Sequence, residues 1–446
     1  MEETREGPPA PSLLPTLGLA SLVLYGIGDM LGSGVYALTG KVAGTMGNAV
    51  WLAFVVSMVA ALLTALSYAS LGSRYPRAAG AAYVTQRAFN RRFLSYVVGL
   101  AVMASGLTSM ATQSRAFSEY ASALAQAVPI PLLILGFIGV LTLVNFWGIK
   151  ESSWLNLLCT AVEVSGLIIV VVVGLRYWGG VDYLETPAMP EGPAPLGIPL
   201  VLQGAVLTFY SFIGFEDMIN VVEEVKDPRR TFPRAVVLAM ACVTVLYIAV
   251  SLSAVSVVPH AELAASKEPL VEVVRRAAPR FPSVIFSGIA LFAITNTALL
   301  NYIMGSRLAY GMARQGLLPR FLGVVHPTRR TPHLAILTLM AFVCVLAFMG
   351  DIKSLAKATS VLLMSVFIVI NAALIVLKRR PGEPPGHFEV PVAVPVGGIV
   401  VCGALLAHAG SREVLMALSL IGGIVLLYLM LRPTAVPDEE PPEPDA

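Results

Sequence analysis

Charged side chains are scarce in this sequence. Asp, Glu, Lys and Arg make up 13% of its 446 residues, whereas hydrophobic residues make up 57%. A soluble globular chain carries roughly 25% charged residues, and here repeated apolar runs replace the missing charge. The composition therefore excludes an ordinary soluble domain and predicts an all-α polytopic membrane protein. The net charge of +3 is too small to indicate a nucleic-acid partner.

Cysteine is also rare, and its placement argues against a disulfide framework. All four cysteines fall inside apolar segments, where thiols usually pack as small hydrophobes: Cys159, Cys242, Cys344 and Cys402.

The sequence contains no nucleophile–base set and no metal-ligand spacing, so we predict neither an enzyme nor a metal or cofactor site. The first residues, Met1 to Pro11, lack a basic leader region. We therefore expect the first apolar segment to remain as a membrane span.

Apolar runs long enough to cross a bilayer recur along the chain. About 20 such residues are needed for a helical span, and by that measure we predict twelve spans. They lie near 14–40, 48–72, 93–122, 130–149, 155–175, 198–222, 235–258, 283–312, 333–350, 355–377, 391–409 and 414–431. We expect disorder in the polar ends, 1–13 and 432–446. A cytoplasmic location of both ends puts about two thirds of the 30 Lys and Arg residues inside, as the positive-inside rule favours.

Glycines and an aspartate interrupt the first span. The stretch Gly26–Val35 carries four glycines and Asp29 at about the depth of the bilayer centre. Glycine permits backbone conformations that break a helix. Non-helical backbone at this depth is tolerated only where it is buried in protein or lines a cavity. A charged side chain is costly there, so Asp29 is a functional candidate; the alternative is that it only caps the second half-helix.

The sixth span repeats this interruption. Within Phe209–Asp217, one glycine and two acids, Gly214, Glu216 and Asp217, lie near the middle of an apolar helix. Paired breaks at corresponding positions indicate a transporter site between inverted repeats. A half-helix beginning after Gly32 would direct free N–H groups at an anion, and carbonyls freed before each break would accept from an ammonium group. Such a site suits an α-amino acid; the alternative for the two acids is a capping role.

Four motifs in this order resemble the amino acid–polyamine–organocation superfamily of amino acid permeases. They are GDMLGSGVY at 28–36, RYPRAAGAAY at 74–83, FIGFE at 212–216 with EEVKDPRRTFP at 223–233, and SRLAYGMARQGLLP at 306–319. The resemblance covers roughly residues 14–431. It implies a leucine-transporter-like fold of two inverted five-helix repeats, 14–178 and 198–377, plus two helices at 391–431. It also implies transport by alternating access.

The resemblance implies a substrate site as well. The N–H groups that would bind the substrate carboxylate lie around Gly32, Ser33 and Gly34. The carbonyls that would bind the ammonium group belong to Met30, Tyr210, Ser211 and Ile213. The Tyr210 side chain occupies the position of an aromatic gate over the substrate, with plain packing as an equal alternative.

Two acids depart from the family pattern. Many members carry a lysine in the middle of span five, and Glu163 stands there in this chain, roughly 12 Å into the span. A carboxyl group at that depth can carry a coupling proton, or hold a sodium ion with hydroxyls such as those of Thr295 or Thr297; it can also be a locally satisfied acid. Asp29 stands where the family often has a small or neutral residue. It would repel a substrate carboxylate unless it points away or the substrate carries a further positive charge.

Together these features predict a secondary active amino acid transporter of the plasma membrane, coupled to protons through Glu163, with a modest preference for cationic substrates. Two alternatives remain open: an amino acid or amine exchanger, and a polyamine transporter in which Asp29 reads substrate charge. A non-transporting sensor or subunit is disfavoured, because both breaks are retained and no soluble signalling domain is evident. The expected partners are a small-molecule amino acid or amine, a coupling proton or sodium ion, and the lipid bilayer.

Overall fold

The structure of the protein is a computed structural model. It describes residues 17–31, 33–75, 80–124, 127–147, 153–189, 192–193, 195–314, 317–327, 329 and 331–431. The two ends for which we predict disorder, 1–13 and 432–446, lie outside the described residues, as does Gly32. Their predictions therefore stay predictions.

The described part of the chain is almost entirely helical. The first eight α-helices are α1 (Leu19–Met30), α2 (Ser33–Met46), α3 (Val50–Arg74), α4 (Gly80–Phe89), α5 (Arg92–Leu124), α6 (Ile130–Trp147), α7 (Ser153–Gly174) and α8 (Ile198–Thr208). The next eight are α9 (Pro228–Val257), α10 (His260–Ala265), α11 (Pro269–Ala277), α12 (Ser283–Arg314), α13 (His333–Met349), α14 (Ile352–Arg379), α15 (Ala393–Ala407) and α16 (Ser411–Leu431). Short 3-10 helices cover Gly47–Ala49, Leu175–Tyr177, Phe209–Phe212, Phe215–Glu224 and Arg320–Gly323. Two-residue strands, β1 (Ala188–Met189) and β2 (Gly192–Pro193), pair antiparallel with Ala188 opposite Pro193.

Length and hydropathy make many of these helices candidate membrane spans. Among the described residues, nine segments are long and apolar enough to cross a bilayer. They are Gly34–Arg74, Arg92–Ser122, Ile130–Trp147, Leu158–Tyr177, Ile198–Ile219, Pro228–Val257, Ser283–Ala313, Ile352–Arg379 and Ser411–Leu431. Three shorter apolar helices are α1, α13 and α15. The prediction of an all-helical polytopic membrane protein is confirmed.

Both interruptions of the apolar helices are present. Helix α1 ends at Met30, Leu31 is extended with φ −71° and ψ 175°, and α2 begins at Ser33. In the sixth predicted span, α8 ends at Thr208 and a 3-10 turn follows. The chain then bends at Gly214, whose φ of +125° is one that side-chain-bearing residues rarely adopt. The second half of this span, Phe215–Glu224, is a 3-10 helix.

The two breaks pack directly against each other. A Cβ added at Gly34 would lie 2.7 Å from Ser211 Cα, and one added at Gly214 would lie 2.8 Å from the carbonyl carbon of Asp29. Real Cβ atoms do not approach other atoms this closely. The glycines therefore permit a backbone-to-backbone contact between segments almost 200 residues apart in the chain.

A main-chain link joins the same two segments at their far ends. The Lys226 N–H donates to the Leu17 carbonyl at 2.9 Å. Leu17 and Val225 form a parallel bridge. The chain entering α1 and the chain leaving the second broken segment are thus held together outside the breaks as well.

Aromatic rings pack against the breaks and fix the neighbouring helices. The Tyr247 ring of α9 lies 5.4 Å from Phe212 and 5.5 Å from Phe54 of α3, centroid to centroid. Phe215 lies 5.2 Å from Phe367 of α14. All five rings are buried, and each such pair contributes about 0.5–1.5 kcal/mol beyond its burial. The breaks are irregular, but their surroundings are tightly packed.

Two glutamates tie the α14–α15 connection to the rest of the protein. Glu389 accepts from Arg74 at the end of α3 and from Lys378, each at 2.5 Å. Glu383 pairs with Arg87 of α4 at 3.0 Å. Burial alone would raise the pKa of Glu389, but the hydrogen bond from Lys378 and the charge of Arg74 hold that pKa below its usual value. We call this loop, with Glu383 and Glu389, the acidic strap.

Candidate functional site

A small cavity lies where the two breaks meet. Its walls come from α1, α2, α5, α12 and the broken sixth segment. Five residues predicted to form the site contribute to these walls: Asp29, Met30, Gly34, Tyr210 and Ile213. The structure therefore brings together residues from both interruptions around one cavity.

Of three other predicted residues, two do not line this cavity, and the side chain of the third is not described. Ser33 begins α2, but its side chain lies outside the described residues. Ser211 is buried behind Gly34 and contacts it through its own Cα and side chain. Glu163 lies on α7, away from the cavity wall. Asp29 is one of the residues that line the cavity, and only 6% of this residue is exposed.

The Tyr247 hydroxyl of α9 lies within hydrogen-bond distance of two of the carbonyls predicted to bind the substrate ammonium group. Its hydroxyl lies 2.7 Å from the Met30 carbonyl and 2.9 Å from the Ser211 carbonyl. A hydroxyl carries one proton and can donate to one acceptor at a time. At any moment one of these two carbonyls is therefore without the tyrosine proton and can accept from another donor. Sequence reasoning missed Tyr247, because a tyrosine in a long apolar helix carries no local signal.

A polar chain on α5 holds the Tyr210 hydroxyl at the cavity. Tyr210 Oη lies 2.9 Å from Ser109 Oγ, and Gln113 Nε2 donates to the same Ser109 Oγ at 3.1 Å. All three residues line the cavity. Tyr210 thus lies beside the cavity, and its hydroxyl is held by Ser109 of α5. Gln113 was missed, although a glutamine among the hydroxyls of span three was visible in the sequence.

A hydroxyl group of α12 binds the unwound backbone at the first break. Thr297 Oγ1 donates to the Leu31 carbonyl at 2.9 Å, and both residues line the cavity. Asn301, one turn later on α12, lines it as well. Helix α12 therefore supplies both a partner for the unwound backbone and an amide group to the cavity.

Glu163 is buried between α7 and α12. The residue is fully buried, and its Oε1 accepts from Asn296 Nδ2 at 3.0 Å. Its Oε2 has no hydrogen-bond partner within the described ranges. Tyr36 of α2 donates to the Glu163 backbone carbonyl at 2.8 Å. The carboxyl group thus lies one helix away from the breaks and is connected to α2 through its own backbone.

The hydroxyls considered as sodium ligands beside Glu163 are bonded elsewhere. Thr295 donates to the Leu291 carbonyl of its own helix at 2.6 Å, and Thr297 donates to Leu31. The side chain that contacts Glu163 is instead Asn296, which lies between these two threonines in the sequence. Successive residues of a helix point about 100° apart, so a one-residue difference changes which side chain faces α7.

The two adjacent acids after Gly214 have different surroundings. Glu216 Oε2 accepts from the Gly214 backbone N–H at 2.9 Å, which satisfies a donor at the bend. This contact corresponds to the capping role that the sequence left open for both acids. Asp217 lines the cavity instead. These two adjacent residues therefore differ, because Glu216 stabilises the break and Asp217 lines the cavity.

Comparison with known proteins identifies the family. The family model described as amino acid permease matches residues 17–428. A branched-chain amino acid permease of Bacillus subtilis is 28% identical over 94% of each chain. The chloroplastic cationic amino acid transporter 9 of Arabidopsis thaliana is 31% identical over 82% of this chain and 67% of its own. A methylthioribose transporter of Bacillus subtilis is 28% identical over 89% of this chain and 88% of its own.

These relatives are transporters and not enzymes, in agreement with the sequence. The match covers the cavity residues from both broken segments and from α5 and α12. This chain therefore belongs to the amino acid permease family of integral membrane transporters.

Proposed function

We propose that this protein is a secondary active transporter that moves amino acids across the plasma membrane by alternating access. The observation that carries the proposal is the cavity at the contact of the two broken segments. Irregular backbone within a membrane is tolerated where it lines such a cavity. Freed main-chain groups of both signs are available there, which suits a zwitterion.

The two ends of an amino acid would bind to different main-chain groups at the two breaks. The first N–H groups of α2, at Ser33 and Gly34, have no partner within their own helix, and a helix N-terminus favours an anion such as the substrate carboxylate. The ammonium group would bind at Met30 and Ser211, where one carbonyl at a time lacks the Tyr247 proton. Tyr210 would cover the bound substrate.

The proposed architecture has twelve spans. Here α1 with α2 forms one broken span, and α8 with Phe209–Glu224 forms another. The first repeat, residues 14–178, would end with α7, and the second, residues 198–377, would end with α14. Helices α15 and α16 would follow the two repeats. An even number of spans puts both termini on one side, which the distribution of lysine and arginine favours as the cytoplasm.

Glu163 is the proposed proton carrier. Its burial, its single amide partner and its unpaired Oε2 within the described residues leave room for a proton on the carboxyl group. Protonation would remove a charge beside α2, whose Tyr36 hydroxyl donates to the Glu163 backbone carbonyl. The proton could therefore influence the helix that also carries the substrate-binding N–H groups.

Uptake by purified protein in liposomes tests this role. We expect amino acid accumulation to rise as the outside pH falls and to collapse with a protonophore. Glu163→Gln should abolish gradient-driven accumulation but retain exchange of labelled for unlabelled substrate. The exposed Glu262→Gln is the control and should behave as the wild type. Full pH-driven accumulation by Glu163→Gln would refute the coupling role, and loss on replacing sodium with choline would identify sodium instead.

An exchanger or a polyamine transporter is the alternative, favoured by the presence of an acid, Asp29, among the residues that line the cavity. Uptake into empty liposomes discriminates the first, because an obligate exchanger works only after preloading. Cadaverine, which is lysine without its carboxylate, discriminates the second. We expect cadaverine to compete poorly with lysine, since it has no group for the α2 N-terminus.

A further inference from the structure

A group of basic residues lies where α9 begins. Its four members are exposed and fall close together in the sequence: Lys226, Arg229, Arg230 and Arg234. Arg230 lies 4.0 Å from Asp227, but these side chains are 64% and 62% exposed, so the pair contributes little. Two further acids precede the group, Glu223 and Glu224, and their side chains lie outside the described residues. We call the four basic residues the basic turn.

Main-chain hydrogen bonds fix the backbone of the basic turn. The Lys226 N–H donates to the Leu17 carbonyl, and the Lys226 carbonyl accepts from the Thr231 hydroxyl at 2.7 Å. The Asp227 carbonyl accepts from the N–H groups of Arg230 and Thr231 at 3.1 and 2.9 Å. The basic side chains therefore extend from a backbone that is already ordered, which lowers the entropy lost when they bind a ligand.

Two of the arginines continue the lipid-facing side of α9. Arg230, Arg234 and Leu238 are spaced four residues apart, and all three are exposed. Further along the helix, Cys242 is exposed and Val245 is 70% exposed. Residues four apart lie on the same face of a helix. Acyl chains would pack against the apolar part of this face, and the two arginines lie at its end.

The length of α9 puts the basic turn at the level of the lipid headgroups. The helix has 30 residues, which makes it about 45 Å long at 1.5 Å per residue. The hydrocarbon core of a bilayer is only about 30 Å thick. The charged first turns of α9 therefore extend beyond the core into the headgroup region. In the proposed orientation this is the cytoplasmic side, where anionic lipids concentrate.

We propose that the basic turn binds the headgroup phosphate of an anionic phospholipid whose acyl chains pack along Leu238 and Val245. Arginine binds phosphate oxygens in a bidentate way. Each basic residue near an anionic membrane surface adds about fivefold to the affinity. A free phosphate ion shares the headgroup chemistry but cannot use the apolar face of α9, so the lipid is the better ligand. The inference goes beyond the proposed function and does not depend on it.

Lipid binding to the purified protein in detergent tests this site. Phosphatidylglycerol is compared with phosphatidylcholine of identical acyl chains, because both carry a phosphate and only the first has a net negative charge. Native mass spectrometry measures the affinities, and thermal unfolding measures the stabilisation. We expect the wild type to bind phosphatidylglycerol at least about tenfold more tightly. The extra stabilisation by this lipid should shrink at high salt, because salt screens exposed charges.

Substitutions at exposed positions separate this site from general charge effects. Arg230→Gln with Arg234→Gln should weaken phosphatidylglycerol binding at least about tenfold and leave phosphatidylcholine binding unchanged. Arg230→Lys with Arg234→Lys keeps both charges and should retain most of the affinity. Arg91→Gln is the control, because it removes the same charge from an exposed arginine beside the start of α5. It should leave both affinities unchanged.

Three results would overturn the lipid site. The first is equal binding of both lipids by the wild type, which would leave an acidic protein segment as the occupant. The second is unchanged phosphatidylglycerol affinity in the double glutamine variant. The third is equal stabilisation by inorganic phosphate and by phosphatidylglycerol, which would indicate a site for free anions. Binding that requires both arginines and a net negative lipid supports the site, whether or not the protein transports amino acids.

Discussion

Replacement of Tyr247 by phenylalanine tests how the two breaks are held together. The substitution removes one hydroxyl and keeps the ring, so the contacts with Phe54 and Phe212 persist. What is lost is the donor to the Met30 and Ser211 carbonyls. Because one proton serves two acceptors, a single hydrogen bond disappears and a buried carbonyl loses its donor. We expect a loss of about 1–3 kcal/mol in stability.

The substrate should partly repair this variant. An ammonium group carries three protons and can donate to the carbonyls that Tyr247 has left. Lysine should therefore raise the thermal unfolding midpoint of Tyr247→Phe by more than it raises that of the wild type. The assay is thermal unfolding of the purified protein in detergent, with and without saturating lysine.

Tyr96→Phe is the matched control. Tyr96 is also buried, but its hydroxyl has no hydrogen-bond partner among the described residues. Removing that hydroxyl should leave stability unchanged or raise it slightly, because an unpaired polar group is lost. Equal unfolding midpoints for Tyr247→Phe and the wild type, or equal effects of lysine on both, would show that the Tyr247 proton does not hold the breaks.

Two further substitutions test the bend and the acidic strap. Gly214→Ala should abolish transport and lower the free energy of unfolding by at least about 1–3 kcal/mol. The reason is that φ is +125° at this position and the new Cβ would lie 2.8 Å from the Asp29 carbonyl carbon. The control, Gly288→Ala, should be tolerated, because no atom lies within 4 Å of its added Cβ. The pKa of Glu389 is below its usual value in the folded protein, so its contribution to stability is present above about pH 4.5 and is lost as the pH falls through the lower folded pKa. Glu389→Gln should lower the thermal unfolding midpoint at pH 7, which corresponds to a loss of about 1 kcal/mol or less in stability. The midpoint of this variant should also decrease less than that of the wild type between pH 5 and pH 3. If the midpoints of both proteins decrease equally over this range, the proposed role of the acidic strap is wrong.

The positions of both breaks could be predicted because their causes are local. Glycine weakens a helix wherever it occurs, and an acid at bilayer depth is unusual in itself. Gly34 and Gly214 then turn out to be required for contact between the breaks. The depth of Glu163 could be predicted in the same way, from its place within one apolar run.

The partners of these groups could not be predicted, because they depend on how distant helices pack. Asn296 donates to Glu163 across 133 residues, whereas its neighbour Thr297 donates to the Leu31 carbonyl. Tyr247 reaches Met30 across 217 residues and so satisfies a carbonyl that the family resemblance assigns to the substrate. No periodicity within α9 distinguishes this tyrosine from one that only packs. The surroundings of Glu216 and Asp217 also differ because of tertiary structure: Glu216 accepts from the N–H of Gly214 at the bend, and Asp217 lines the cavity. Their amino-acid types alone do not predict this difference.

The bond from Lys226 N–H to the Leu17 carbonyl has a consequence for mutational studies. It joins the outer ends of the two broken segments through main-chain atoms alone, so every residue type except proline at position 226 can form it. An alanine scan would not detect this link, and relatives can differ in side chains at both positions without losing it. If the two broken segments move as one rigid body during transport, this main-chain hydrogen bond contributes to that coupling, and sequence comparison does not detect it.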